Sequence, residues 1–150
     1  MKKVLFLFFL PLMLSAQGDL LSYGSVDWFT DYDAAVSLAK EENKKLMVYF
    51  TGSDWCAPCQ MLKKDLFETT DFENAAKDYV LLYIDIPRNT DLLSAEQMEH
   101  NKKVLSKLNK KGVFPLFKII DTKGKEVDEL SGYSMNGEVQ YHLKFMKKNK

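Results

Sequence analysis

The two cysteines of this chain stand two residues apart, in Trp55-Cys56-Ala57-Pro58-Cys59, and that stretch limits the possible folds more than any other. An apolar run with strand character, Leu46-Met47-Val48-Tyr49-Phe50-Thr51, leads into it, and a helical pattern over residues 60–67 leads out. Thiols at the start of a helix lie beside unpartnered N–H groups and the positive end of the macrodipole. A thiolate is stabilised there, so the first cysteine becomes a nucleophile near neutral pH and the second is placed to close a disulfide. Pro58 agrees with a helix start, the one part of a helix that tolerates proline. A disulfide across so short a loop removes little entropy from the unfolded chain, so the pair suits redox work better than structural work.

Half of a zinc site is the competing reading of two cysteines at this spacing. Such a site needs about four ligands. The only nitrogen donors of the right kind, His100 and His142, are not at a paired spacing. No metal and no cofactor is therefore expected. The length of 150 residues fits one domain, with 46% hydrophobic and 28% charged residues. Basic and acidic residues balance at 21 each, which gives no electrostatic case for nucleic acid or an anionic membrane surface.

The N-terminus reads as a secretory signal: Lys2 and Lys3, an apolar stretch over residues 4–14 interrupted by Pro11, then the small residues Ser15, Ala16 and Gly18. The stretch is short against the ~20 residues that span a bilayer. Cleavage after Ala16 or after Gly18 both remain open. A signal over residues 1–18 and one domain over 19–150 follow, with a periplasmic or secreted mature chain that has no stable membrane insertion. Beyond the signal, residues 18–28 read as a polar, turn-rich lead-in. A helix is expected over 32–43, capped by Thr30 or Asp31, then the strand over 46–51 and the helix over 60–67 with Met61, Leu62, Leu66 and Phe67 on one side. Asp71 is expected to cap a short helix ending near Asp78, and a strand runs over 79–86. One long or two broken helices fill 89–111, with Lys102, Lys103, Lys107, Lys110 and Lys111 on a solvated face, His100 exposed and Gly112 closing. A third apolar strand over 113–120, a turn over 121–124, an edge strand over 125–130 and a helix over 135–148 complete an α/β pattern.

Three pieces in this order resemble the thioredoxin superfamily: the Trp55–Cys59 motif, a proline opening the third strand (Pro115) and a glycine after the hairpin (Gly132). The run from Tyr49 to Cys56 looks most like exported thioredoxin-like proteins of Gram-negative bacteria. The resemblance spans residues 28–148. It implies a thioredoxin-like fold, with a central mixed β-sheet flanked by helices on both faces and without the optional first strand. It implies a thiol–disulfide oxidoreductase in which Cys56 attacks, Cys59 resolves, and Trp55, Phe114 and a cis Pro115 line the substrate groove. The partners implied are disulfide-containing proteins and a membrane-bound electron donor, and the chain would be a monomer. Three residues depart from the family pattern. Tyr49 stands where thioredoxins bury an acid that takes the proton of the second cysteine, leaving Asp54 and Asp85 as unranked alternatives. Phe114 is larger than usual, and Ala57 replaces a glycine. Because Ala57-Pro58 adds no charge to favour the thiolate, a reducing protein is expected. A disulfide oxidase or isomerase, or a non-catalytic binding protein of the same fold, are the alternatives.

Overall fold

A computed structural model describes residues 20–150; the expected signal lies outside them. In chain order the elements are β1 (Leu20–Tyr23), β2 (Val26–Phe29), α1 (Tyr32–Glu41), β3 (Lys45–Thr51), α2 (Ala57–Leu62), a π-helical turn (Lys63–Phe67) and α3 (Thr70–Ala76). They continue as β4 (Tyr79–Asp85), a 3₁₀ turn (Thr90–Leu92), α4 (Ala95–Leu108), β5 (Leu116–Ile120), β6 (Glu126–Ser131) and α5 (Gln140–Asn149). The six strands form one sheet in the order β1-β2-β4-β3-β5-β6. β3 pairs parallel with β4 and antiparallel with β5, so it is central and its run of apolar residues is covered on both faces.

Alternation along β3 sorts the core. Leu46, Val48 and Phe50 pack with Val80, Leu82 and Ile84 of β4 against Ala35 and Ala39 of α1 and Val104 and Leu108 of α4. Met47 and Tyr49 face the opposite side, with Leu62, Leu66, Phe67, Phe72, Phe145 and Met146 from the α2, α3 and α5 layer. Helices on both faces of a mixed sheet are thus the direct product of three strands with two apolar faces.

The lead-in over 18–28 is a correction. Residues 20–29 form a hairpin with register Tyr23↔Val26, joined by Gly24-Ser25, with Gly24 at φ 61°. A two-residue turn of this hand needs positive φ, which Gly24 supplies. The hairpin adds the first strands that the sequence reading left out, and β2 joins β4 in parallel at Phe29↔Leu82. It also carries Trp28 into the core, fully buried, with its ring 4.9 Å from that of Phe67 and 5.9 Å from that of Phe72.

Element ends differ in instructive ways. Asp31 rather than Thr30 caps α1, its Oδ1 accepting from Ala34 N at 2.7 Å. Thr69, not Asp71, caps α3. α4 is one helix, capped by Ser94 and ended at Asn109 rather than Gly112. The buried Asn109 side chain then bonds Val113 twice, Nδ2 to its carbonyl at 2.8 Å and Oδ1 from its N–H at 3.1 Å. α5 begins at Gln140, later than expected, and Met61 is exposed. His100 is half-buried instead of solvated: its Nε2 accepts from Tyr32 N at 3.1 Å and ties α4 to α1.

His142 is buried between the rings of Phe117 and Tyr133. Neither ring nitrogen closes a well-formed hydrogen bond. Burial holds its imidazole below the ordinary range, with the Gly132 backbone opposing weakly. The folded pKa is therefore depressed. The stability that the neutral ring contributes is complete above the unfolded value of about 6.5 and declines as pH falls toward the folded one. Thermal melts of the parent and His142→Phe should show the variant gaining on the parent between about pH 7.5 and pH 5. A difference that stays constant over that span would contradict this assignment.

Candidate active site

β3 ends at Thr51, and the chain reverses through Gly52. The N–H groups of Trp55 and Cys56 both donate to Gly52 O, at 3.2 and 2.9 Å. Cys56 then takes the N-cap position of α2, and its Sγ lies 3.3 Å from Cys59 N, which donates to it. The helix starts at Ala57, so the cysteines stand at its beginning as the motif implied and its pattern extends back from residue 60; sulfur serves as the capping acceptor and Pro58 fits the first turn. Cys56 and Cys59 are joined in a disulfide with Cα atoms 5.2 Å apart. Cys56 is 4% exposed and Cys59 1%, so the outward atom of the pair belongs to Cys56.

Trp55 is half-buried over the neighbouring loop, neither a free surface ring nor a core one. Its Nε1 donates to Ile86 O at 2.8 Å. Gly52 makes this possible, since a Cβ there would overlap the indole. The Phe114 ring meets Trp55 edge-on, with centroids 5.3 Å apart. The Phe114–Pro115 peptide bond is cis, Pro115 is buried, and its carbonyl accepts from Gly132 N at 2.9 Å. Phe114 and the cis Pro115 that follows it are thus packed against Trp55, the residue before Cys56.

The structure separates the groups near the missing acid. Tyr49 is fully buried, and its hydroxyl donates to Cys59 O at 3.3 Å. Burial pushes its phenol far up, so it holds its proton. Asp54 is exposed, and its carboxylate accepts from Arg88 N at 2.9 Å and Asn89 N at 2.8 Å. Those backbone bonds, Asn89 first, hold it below the usual carboxylate range. Asp85 is buried at the end of β4, its Oδ1 accepting from Ser53 N at 2.8 Å. Burial raises its carboxyl above the usual range against the opposing Ser53 bonds. Asp85 is therefore the carboxylate with the higher proton affinity. His100 and His142, the residues considered for a metal, lie in the α1–α4 contact and in the core.

Sequence reasoning passed over Arg88, whose Cζ lies 4.7 Å from the centroid of the Trp55 ring. It also passed over Asn101, whose Nδ2 donates to Asp85 O at 2.8 Å. Nothing in the local pattern marks either residue; Arg88 reaches from the loop after β4 to the redox loop, and Asn101 reaches from α4 to the end of β4.

A sequence profile of the thioredoxin-like family matches residues 27–121. The chain belongs to that family. It is 25% identical over 122 residues to the "Disulfide bond reductase DsbH" of Chlamydia pneumoniae, covering 81% of this chain and 71% of that protein. The solved structure titled "DsbH Oxidoreductase" superposes with a TM-score of 0.69 at 25% identity, over 80% of this chain and 81% of that one. The "Thiol:disulfide interchange protein DsbD" of Klebsiella pneumoniae is 31% identical over 70 residues, which is 47% of this chain and only 11% of that protein. Family, fold and the paired cysteines make the protein a thiol–disulfide oxidoreductase of the thioredoxin type.

Because the folded pKa of Asp85 is raised, the stability tied to its neutral form is complete below the unfolded value, about 3.9, and is lost as pH rises through the folded value. Asp85→Asn keeps an oxygen for the Ser53 N–H and removes the buried charge. The variant should melt above the parent at pH 7, with the gap closing toward pH 4. A variant less stable than the parent at pH 7 would show that the carboxylate is a net stabiliser.

Proposed function

We propose that the protein reduces disulfides in exported proteins, with Cys56 as the attacking thiol and Cys59 as the resolving one. The observation that carries this reading is the placement of Cys56 Sγ at the N-cap of α2, with no charged side chain between it and Cys59. The reduced Cys56 thiolate attacks one sulfur of a substrate disulfide, breaking that bond and releasing the other substrate sulfur as a thiolate. Cys59, deprotonated, then attacks Cys56 Sγ in the mixed disulfide. The substrate leaves carrying two electrons, and the Cys56–Cys59 disulfide remains. Trp55, Phe114 and Pro115 form the lip against which the substrate chain lies. A membrane-bound dithiol donor would return the electrons. Similarity to a protein named a disulfide bond reductase supports the direction.

The helix end and the Cys59 N–H are modest aids to the thiolate, and Ala57-Pro58 adds none. The reduced form is therefore not strongly favoured, which places the couple nearer thioredoxin, at about −270 mV, than the strong oxidants at about −120 mV. Equilibration with glutathione buffers, read by alkylation mass shifts, should return a potential more reducing than about −180 mV, the isomerase value. A more oxidising value would favour the oxidase or isomerase reading. In the same assay Cys59→Ser should accumulate a mixed disulfide with a substrate protein and Cys56→Ser should not; trapping by the second variant would reverse the roles.

Export rests on the Lys-apolar-small pattern of residues 1–18. Among the described residues no helix is long and apolar enough to cross a membrane. A domain beginning near residue 19 and a periplasmic or secreted location complete the reading. Intact mass of the protein recovered from the producing cell should give a start at Gln17 or Asp19, whereas a start at Met1 in the cytoplasmic fraction would remove the exported-substrate proposal.

A further inference from the structure

All but one of the 21 basic residues of this chain are lysines, and the exception, Arg88, lies over the ring that flanks the nucleophile. Two other cations of the chain sit over aromatic rings, Lys63 over Tyr23 and Lys107 over Tyr32. Contact with a ring therefore does not by itself call for arginine. What arginine adds is a planar fork of donors that meets a carboxylate in two parallel bonds, and a weaker hydration shell to strip away.

The loop that carries Arg88 is pinned to the redox loop on both sides. Ile86 N donates to Thr51 O at 2.9 Å, and Trp55 Nε1 donates to Ile86 O at 2.8 Å. Asp54 accepts the backbone N–H groups of Arg88 and Asn89, at 2.9 and 2.8 Å. Asp54 thus spends its oxygens on backbone. Among the described residues the Arg88 guanidinium makes no ion pair. The result is an exposed cation lying over the Trp55 ring, close enough to help hold the Asp54 carboxylate ionised but not bonded to it. Preorganisation of this kind lowers the ordering cost of a bound anion.

We propose that Arg88 is a specificity-determining residue that receives a carboxylate of the substrate, selecting disulfides flanked by aspartate or glutamate. The inference rests on the oxidoreductase reading of Cys56, since it places the substrate chain along the Trp55 side of the pair. The guanidinium contacts the substrate and takes no part in the exchange of sulfur bonds.

The test uses two synthetic disulfide peptides, identical except for Glu or Gln beside the reacting cysteine. The rate of thiol–disulfide exchange is followed for the reduced full-length protein and for Arg88→Gln and Arg88→Lys. The parent should favour the Glu peptide by roughly two- to fivefold at low salt, the scale of an exposed charge pair. That preference should shrink in about 0.5 M salt, where the screening length falls well below that of physiological salt. Arg88→Gln should bring the ratio near one, and Arg88→Lys should retain part of it. A parent ratio near one, or a Gln variant that slows both peptides equally and keeps the ratio, overturns the Arg88 role while leaving the oxidoreductase reading intact. A parent inert toward both peptides overturns that reading and the Arg88 role with it.

Discussion

The direction of three strands governs this molecule. β3 is the buried axis of the sheet, parallel to β4 and antiparallel to β5. The C-terminal ends of β3 and β4 therefore share an edge with the N-terminal end of β5. Three loops emerge at that edge: Gly52 to Cys56, Ile86 to Asn89, and the turn into Phe114-Pro115. In open α/β sheets this is where function collects, beyond the carboxyl ends of parallel strands. The indole of Trp55 joins all three, through Gly52 beneath it, Ile86 O at its nitrogen and Phe114 at its edge.

The central strands and the redox motif were legible in the sequence because each is local. β3 and β4 carry continuous apolar runs, Leu46 to Phe50 and Tyr79 to Ile84, and the cysteine spacing is its own signal. What escaped was set by partners distant in sequence. The hairpin over 20–29 looks polar and short until β4 offers it an edge at Leu82. Its inward alternation of Val26 and Trp28, with a glycine turn ahead, was the available cue. Thr69 outcompeted Asp71 as a cap because α3 starts at Thr70, two residues before its first apolar residue, Phe72. His100 looked solvated because the residue that engages it, Tyr32, is 68 positions away. The substitution of Tyr49 for the expected acid was visible. Its consequence was not, since ranking Asp54 against Asp85 required knowing which carboxylate is buried and which is bonded to backbone.

Charge at the active edge is arranged by backbone bonds as much as by side-chain pairs. Asp54 is kept ionised by two N–H groups of the neighbouring loop, and Asp85 is kept hungry for its proton by burial. Two aspartates at the same end of the sheet thus do opposite things. One staples two loops together through backbone bonds, and the other, raised in proton affinity by burial, lies beneath the loop that leads to Cys56. Lys118 shows the contrasting solution away from that edge: it is buried in β5 and bonded to both Glu126 and Glu129 of the outer strand, which settles its charge inside the protein.

The π turn at Lys63–Phe67 amounts to an α-helix with one residue inserted. That residue advances Phe67 to the point where the N-terminal hairpin meets it. Trp28 and Tyr23 place their rings 4.9 and 6.2 Å from the Phe67 ring, the ring of Tyr23 also lies under Lys63, and a Cβ added at Gly24 would come within 3.4 Å of Phe67 O. Hairpin and inserted residue are two halves of one joint. Moving Phe67 by one helical position would draw its ring away from both Trp28 and Tyr23 and leave the hairpin without that seat. In the descent of such proteins the two should be gained or lost as a pair, separated though they are by some forty positions of chain.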